Sequence, residues 1–213
     1  MTNPEDYLHG IFNAVAFRFC EKFAVIDAAW LEIVEAYSAR DRHYHNFHHL
    51  YTMFENLQAV RSEIQNFDAS VFALFYHDII YNPDNGGNEK KSSQLAGIRL
   101  RDLGVQETLR QKVEDLILAT EKHERSHDHD LNCFTDADLS ILGSGDSVYW
   151  QYSVAIRKEY GNVPEFLYRP GRRKVLEHFL SMPAIFKTAF FQRQFEDKAR
   201  LNMQSELNSL IDP

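Results

Sequence analysis

The sequence predicts an all-α fold, and three observations lead to this prediction. Apolar residues recur at spacings of three and four along most of the 213-residue chain, which is the period of an amphipathic helix. One short apolar segment has the composition of a strand, but the sequence offers no second strand to pair with it. Turn-forming residues separate the apolar stripes, so the chain divides into helices joined by loops.

Five apolar stripes locate the predicted helices in chain order. Each stripe places its side chains on one face of a helix, and we expect these faces to pack together. The stripes are Leu8-Ile11-Phe12-Val15-Phe19, Leu50-Met53-Leu57-Val60-Ile64, Leu109-Val113-Leu116-Ile117-Thr120, Tyr149-Tyr152-Ile156-Tyr160 and Ala199-Met203-Leu207-Leu210.

Residues 71–75 are apolar on every side, and Tyr76, His77 and Asp78 follow them. This composition suits a strand, but the helical neighbours favour a buried central helix. We therefore predict a helix here, with Asp78 emerging from its end.

The predicted loops contain residues that favour turns. Residues 82–87 (NPDNGG) form a dense turn signal, and Asn88 is suited to cap the next helix. Residues 143–146 (GSGD) form a second loop that ends in a plausible cap.

The C-terminal third is interrupted by Pro164, Pro170 and Pro183, which predicts shorter helices before a long last one. The chain contains no linker, internal repeat or low-complexity tract. We predict a single compact helical domain over residues 1–213 with a C-terminal helical extension.

Composition and charge narrow the functional classes. Hydrophobic residues make up 44% and charged residues 25%, as in ordinary globular proteins. The net charge of -8 argues against a protein that binds long nucleic acids.

No apolar stretch approaches a membrane span, and residues 1–6 do not resemble a signal peptide. Cys20 and Cys133 are not in a CxxC pair, so we expect neither a disulfide framework nor a cysteine zinc site. These features predict a cytoplasmic protein without membrane contact.

The ten histidines are unusually clustered, and imidazole with carboxylate suits first-row divalent metals. The run at residues 127–130 (HDHD) lies in a polar stretch, and we interpret it as solvated surface. The other histidines of interest are His43, His45, His48 and His49 in one segment, His77 beside Asp78, and His123 after the third stripe.

Burial and spacing select candidates but leave two alternatives open. A charged Asp78 at the end of a buried helix is costly unless a cation compensates it. Asp136 and Asp138 border an apolar run and point to different faces, so we expect one of them to be a ligand. His45 and His49 are four residues apart and share a face if the helix already includes His45.

The order of His, then His-Asp, then Asp on successive helices resembles the HD superfamily of metal-dependent phosphohydrolases. Other segments resemble one subgroup, described as predicted HD-superfamily hydrolases, and together they cover nearly the whole chain. They are Arg42-His43-Tyr44-His45-Asn46, Phe75-Tyr76-His77-Asp78, Asn88-Glu89-Lys90-Lys91-Ser92, Ala119-Thr120-Glu121-Lys122-His123, Asp136-Ala137-Asp138-Leu139-Ser140-Ile141-Leu142-Gly143, Gly171-Arg172 and Ala199-Arg200-Leu201-Asn202.

The resemblance implies an HD-domain-like helical bundle that holds a divalent ion through His49, His77, Asp78 and Asp138. The ion would be Mn, Fe, Co, Ni, Zn or Mg. The implied activity is phosphohydrolysis of a nucleotide or another small phosphate ester.

The resemblance also suggests roles for individual residues. We expect Asp78 to bind the ion and orient the attacking water, and Glu89 to transfer protons. The alternative for Glu89 is that it complements the helix dipole. The candidates for a second ion or for the substrate are His45, His123, Lys122 and Arg42.

Two other functional classes stay open at this stage. One is a nucleotide- or metal-binding regulatory protein with little turnover, and the other is a di-iron oxygenase of the HD type. The sequence does not predict the oligomeric state, because the aromatic run Phe186, Phe190, Phe191 and Phe195 suits either a core or a self-association surface.

Overall fold

The computed structural model describes residues 3–83 and 86–211, and no strand occurs in those ranges. The predicted all-α class is therefore confirmed for this part of the chain. The helices are α1 (Pro4–Ala16), α2 (Phe23–Tyr37), α3 (Phe47–Ala59), α4 (Phe67–Tyr76), α5 (Asn88–Asp102), α6 (Glu107–Ala119), α7 (His129–Leu139), α8 (Asp146–Glu159), α9 (Glu165–Ser181), α10 (Ala189–Phe191) and α11 (Asp197–Ile211), with 3₁₀ turns at Arg61–Glu63 and Ser140–Gly143 and a π-helical turn at Gln192–Glu196.

Side-chain caps mark where four of the helices begin, and one of them is Asn3 before α1. Asn46 precedes α3, Asn66 precedes α4 and Asp128 precedes α7. Each accepts a backbone N–H from two or three residues further along, at 2.9, 3.3 and 3.0 Å respectively. Such caps satisfy donors that have no partner within the helix, which sharpens its start.

The central helix is α4, in which every residue from position 69 to position 76 is buried. It packs against α1, α3, α5 and α6. A helix surrounded by other helices needs no polar face. The prediction of a buried central helix at residues 71–75 is therefore confirmed.

The hydrophobic core extends from Leu8 in α1 to Met203 in α11. The C-terminal aromatic run belongs to this core, because Phe186 and Phe191 are fully buried and Phe190 and Phe195 pack against it. Of the two interpretations of that run, the structure supports the core.

The prediction of shorter helices before a long last one is wrong. Helix α9 has 17 residues, against 15 in α11, and it continues through Pro170. A proline inside a helix removes one intrahelical donor and crowds the carbonyl group four residues earlier, at a cost of about 3 kcal/mol. Packing against α11 compensates for this loss, and Arg169 also donates a hydrogen bond to the carbonyl oxygen of Leu210 at 2.7 Å.

The loop before α5 differs in detail from the prediction, and its residues 84 and 85 lie outside the described ranges. Asn88 is the first helical residue and not the cap, because Gly87 takes the cap position with a φ of 79°. The Asn88 side chain instead donates to the carbonyl of Asn82 and accepts its backbone N–H. This pair closes the loop.

Candidate metal centre

Three helix ends meet at one point of the structure. His49 lies in the first turn of α3, His77 caps the C-terminus of α4, and Asp138 lies in the last turn of α7. The C-terminal ends of helices carry partial negative charge from their free carbonyl groups. Two such ends at one point favour a cation there.

The side-chain atoms of these three residues form a close group. The Nε2 atoms of His49 and His77 are 3.1 Å apart. Asp138 Oδ1 lies 3.4 Å from His49 Nε2 and 3.8 Å from His77 Nε2. A group of two imidazoles and a carboxylate at this spacing can hold a metal ion.

Asp78 joins the group from the turn after α4. Its Oδ2 lies 3.1 Å from His77 Nε2 and 3.8 Å from His49 Nε2. The side chains of Asp78 and Asp138 are each 16% exposed, so a small ligand has access to the carboxylates while the imidazoles stay buried. The structure therefore brings all four residues that were predicted as ligands to one place.

The separations between these atoms fit a common ion. Ligand atoms about 2.1 Å from one ion lie about 3.0 Å apart at neighbouring octahedral positions and about 3.4 Å apart in a tetrahedron. The separations of 3.1 and 3.4 Å match these values, and 3.8 Å is only slightly longer. The residues present therefore fit a divalent ion.

The backbone determines which nitrogen of His77 faces the centre. Nδ1 donates a hydrogen bond to the carbonyl oxygen of Leu74 at 2.9 Å, so a neutral ring keeps the lone pair of Nε2 for a ligand. Three acceptors then face one another. They are His77 Nε2 and the carboxylate oxygens of Asp78 and Asp138. A cation at this point satisfies them together.

The pKa values also point to a positive charge at the centre. Burial lowers the pKa of His77, but Asp78 and Asp138 outweigh it and raise that pKa to about 9. Burial lowers the pKa of His49 to about 4. Burial raises the pKa of Asp138, but His123 and the other imidazoles outweigh it and lower that pKa to about 2. The two carboxylates therefore stabilise one cation, either a proton on His77 or a metal ion.

His45 extends the centre on the side of Asp78. Its Nε2 lies 3.8 Å from Asp78 Oδ2, and its Nδ1 lies 2.7 Å from Glu159 Oε2. The Glu159 side chain is fully buried at the end of α8, and its Oε1 accepts the backbone N–H groups of Tyr44 and His45. Glu159 therefore holds both the loop and the ring.

The condition under which His45 and His49 would share one helix face is not met. Helix α3 begins after its cap Asn46, so His45 lies in the loop before it. The two rings are nevertheless close, with 5.8 Å between their centroids. The contact to Glu159, and not helical spacing, brings His45 to the centre.

His123 extends the centre on the other side. Its Nε2 lies 2.9 Å from Asp138 Oδ2, the carboxylate oxygen that does not face His49. The residue has a φ of 52°, the one positive value found outside glycine in the described residues. Left-handed backbone costs energy for a residue with a Cβ atom, and the loop after α6 takes this conformation where it presents His123 to Asp138.

Arg42 lies beside the centre, but its guanidinium group binds backbone carbonyl oxygens and does not point into the centre. Its Nη1 donates to the carbonyl oxygens of Asp78 and His45 at 2.5 and 3.3 Å, and its Nη2 donates to that of Ile79 at 2.9 Å. These bonds tie the loop before α3 to the turn after α4. Arg42 therefore positions two ligand-bearing segments, and both terminal nitrogens are engaged in doing so.

Glu89 and Lys122 lie further out. Glu89 is half-buried in the first turn of α5, where an acidic side chain complements the helix dipole. It does not line either of the two cavities beside Asp138. Lys122 is exposed at a separate cavity of ≈ 460 Å³ that also reaches His123.

Asp136 has a structural role. It is fully buried, and its carboxylate accepts the backbone N–H groups of Lys187 and Thr188 at 2.8–2.9 Å. The ammonium group of Lys187 lies 3.4 Å away. The sequence left Asp136 and Asp138 as alternatives. In the structure Asp138 lies at the centre, whereas Asp136 binds the backbone of the segment before α10.

Two cavities open on either side of Asp138. The larger one, of ≈ 520 Å³, is lined by five tyrosines, and we call it the tyrosine cavity. The second one, of ≈ 410 Å³, contains amide and hydroxyl side chains beside His49 and several apolar residues, and we call it the polar cavity. The tyrosines are Tyr44, Tyr81, Tyr152, Tyr160 and Tyr168, and the polar cavity contains Asn46, Thr52, Asn56, Ser140, Ser144 and Gln151.

A second group of ligand-type residues is formed by Glu63 and His129 at the surface and by the buried Cys133 beneath them. Glu63 and His129 are exposed and form an ion pair at 3.4 Å. Burial raises the pKa of the Cys133 thiol to about 12. Because the thiolate is the form that binds metals, this group is a much weaker ligand set than the centre at α3, α4 and α7.

Sequence reasoning missed two parts of this centre. Glu159 is 114 residues from His45 and lies in no motif, so no local signal marks it. The tyrosine cavity was also missed, because Tyr149, Tyr152 and Tyr160 were interpreted as a core stripe. Tyr149 is fully buried as expected, while Tyr152 and Tyr160 are only half-buried and line the cavity.

Comparisons with protein-family models, with curated proteins and with solved structures gave no match for this chain. In the described ranges, no helix combines the length and the apolar character that crossing a membrane demands.

Proposed function

We propose that this protein is a metal-dependent phosphohydrolase of the HD type that acts on a small phosphate ester. The observation that carries the proposal is the convergence of His49, His77, Asp78 and Asp138, in the chain order of the HD pattern, beside cavities of ligand size. The HD-like bundle, the single domain and the cytoplasmic location belong to the same proposal.

His49, His77, Asp78 and Asp138 would hold a divalent ion, which would supply polarisation of a phosphoryl oxygen and a lowered pKa of its water. His77 keeps Nε2 directed at the ion because Leu74 holds its Nδ1. His49 is almost fully buried and excludes bulk water from the inner side. The partly exposed carboxylates of Asp78 and Asp138 face the side from which a substrate enters.

Asp78 and His45 divide the proton handling in this proposal. Asp78 Oδ2 lies between the Nε2 atoms of His77 and His45, where it accepts a hydrogen bond that orients the attacking water. The proton that the attacking water loses would pass to solvent through the open side of the site, and His45 would donate its Nε2 proton to the leaving oxygen and regain one from solvent. Burial lowers the pKa of His45, but Asp78 and Glu159 outweigh it and raise that pKa, which favours the protonated donor.

A di-iron oxygenase is the second candidate, and one observation favours it. The two oxygens of Asp138 face different histidines, His49 through Oδ1 and His123 through Oδ2. A carboxylate shared in this way suits two neighbouring metal ions. Iron as the bound metal, together with oxygen uptake that depends on an added organic substrate, would favour this candidate over the hydrolase.

Metal content and phosphate release test the main proposal. The full-length protein, purified without added metal or chelator, is compared with Asp78→Asn and with the control Asp41→Asn, whose aspartate is exposed. We expect near-stoichiometric divalent metal and metal-dependent phosphate release in the wild type and in Asp41→Asn, and loss of both in Asp78→Asn. Equal metal content and equal phosphate release in all three proteins would contradict the proposal, and so would an absence of metal that added Mn, Co, Ni or Fe does not restore.

A further inference from the structure

We propose that the tyrosine cavity binds the organic group of a phosphate monoester, and that this group is uncharged and mainly aromatic or aliphatic. This inference rests on the proposed phosphohydrolase function for the phosphate end of the substrate. It adds a substrate class, which the metal centre alone does not define.

The position of the tyrosine cavity connects it to the chemistry. Its inner end is formed by His45, Asp138 and His123, and its outer wall is formed by α8 and α9. A volume of ≈ 520 Å³ lies within the usual range for small-molecule sites. The ester group of a phosphate held at the metal centre can therefore extend into this cavity.

The lining of the cavity favours an apolar ring system. No Asn, Gln, Ser, Thr or Lys side chain is found among its lining residues in the described part of the chain. Aromatic rings and the side chains of Leu139, Ile141, Ile156 and Val163 form most of its wall. The phenol hydroxyls, His45 and His123 offer some hydrogen bonds, but the larger apolar part of the wall favours a ring system, which packs well against tyrosines.

The charge of the cavity selects against additional phosphates. Arg172 is its one permanently charged cation among the described residues, and Glu206 binds Nε and Nη2 of that guanidinium at 2.8 and 2.9 Å. Recognition of a polyphosphate requires free Arg or Lys donors. The substrate therefore carries one phosphate, and the metal centre receives it.

The polar cavity on the other side of Asp138 differs from the tyrosine cavity in its amide and aliphatic hydroxyl side chains, although apolar residues form much of its wall as well. Its amide and hydroxyl groups, such as Asn46, Thr52 and Gln151, suit water or a polyol. It therefore provides a matched control position. Val175 lines the tyrosine cavity and is 45% exposed, while Val148 lines the polar cavity and is 46% exposed.

The test measures binding of uncleavable phosphonates by calorimetry to the full-length protein with manganese added. The probes are 1-naphthylmethylphosphonate, 3,4-dihydroxybutylphosphonate and β,γ-methylene-ATP. We expect the naphthyl probe to bind at least about tenfold more tightly than the other two, since only it buries apolar surface without losing hydrogen bonds.

Two valine-to-tryptophan variants locate the bound group. Val175→Trp should weaken naphthyl binding at least about tenfold, and Val148→Trp should change it less than about twofold. Both substitutions lie at half-exposed positions, and thermal unfolding checks that each variant is folded. If Val175→Trp does not fold, Leu167→Trp replaces it, because Leu167 lines the same cavity and is 56% exposed.

Equal affinities, a preference for the dihydroxybutyl or ATP probe, no binding at all, or loss of naphthyl binding only in Val148→Trp would each overturn the inference. Release of phosphate from 1-naphthyl phosphate is measured separately. Tight naphthyl binding without phosphate release would contradict the hydrolase and leave the cavity assignment standing. Phosphate release without the naphthyl preference would contradict the cavity assignment alone.

Discussion

Asp136 and Asp138 are two residues apart on α7 and have opposite surroundings. Asp136 faces the interior and accepts backbone N–H groups of Lys187 and Thr188, whereas Asp138 faces the histidines of the centre. Residues two apart on a helix point in directions about 200° apart, which explains the separation. One helix turn thus supplies both an anchor for the C-terminal segment and a ligand for the centre.

The two aspartates should separate stability from metal binding. Asp136→Asn removes one of the oxygens that accept backbone N–H groups and leaves Lys187 without its counter-ion, so we expect a loss of about 2–3 kcal/mol in the free energy of unfolding. Asp138→Asn should lose metal and change the stability of the metal-free protein much less. Urea unfolding with chelator present and metal analysis measure the two effects. A reversal of this pattern would show that the roles are exchanged.

Glu159→Gln should lower turnover without removing the metal. Gln can still accept the N–H groups of Tyr44 and His45, but its amide no longer supports a protonated Nδ1 on His45. We expect kcat to fall about 10- to 100-fold with unchanged metal content. The ¹⁵N resonances of the His45 ring should report the changed protonation. The control is Glu165→Gln, at an exposed ion pair with Arg157, and an unshifted His45 spectrum in Glu159→Gln would refute this role.

Substitutions of His123 should reveal the cost of its left-handed backbone. His123→Gly and His123→Ala both lose the contact to Asp138, but only glycine adopts a φ of 52° without a penalty. We expect His123→Gly to be more stable than His123→Ala by about 1 kcal/mol in denaturant unfolding. Equal stability of the two variants would mean that the loop relaxes to another conformation.

Gly143→Ala should destabilise the fold. A Cβ atom at this position would lie 2.5 Å from Phe195 Cβ and 2.6 Å from the Phe195 carbonyl oxygen. We expect a loss of about 1–3 kcal/mol, because neither helix can move away without opening the core. Gly145→Ala is the matched control, since nothing lies within 4 Å of its Cβ position. Similar melting temperatures for both variants would contradict the close approach.

The buried pair of Glu206 and Arg172 should make stability depend on pH. Burial raises the pKa of Glu206, but hydrogen bonds and charge from Arg172 outweigh it and hold that pKa below the ordinary value of 4.5. A carboxylate whose pKa is lower in the folded state stabilises the fold above the unfolded-state pKa. This contribution is lost as the pH falls through the folded-state pKa, so the free energy of unfolding should decline below pH 4.5.

Glu206→Gln tests this pH dependence. The variant should be less stable by about 3–5 kcal/mol near neutral pH, because it leaves a buried guanidinium unpaired. It should also show a weaker decline of stability in acid. Glu177→Gln provides the control at an exposed pair with Arg173, and we expect an effect within about 1 kcal/mol. If the free energy of unfolding falls as steeply below pH 4.5 in Glu206→Gln as in the wild type, other carboxylates cause that pH dependence.

The helical class and the central position of α4 were predictable from sequence because both depend on local patterns. Apolar spacing of three and four residues defines a helix face, and an all-apolar segment defines a helix buried on every side. Motif order also selected the four candidate ligands, His49, His77, Asp78 and Asp138. These features need no knowledge of which helices touch.

The sequence alone determined helices, the approximate loops and a small set of metal-binding candidates. The tertiary structure decided between Asp136 and Asp138, placed His45 through Glu159, turned Arg42 toward backbone carbonyls and opened a tyrosine cavity inside an apparent core stripe. Each of these outcomes depends on residues distant in the chain. Helical periodicity determines which side chains share a face of a helix. Only the packing of one helix against another determines which residues that face contacts.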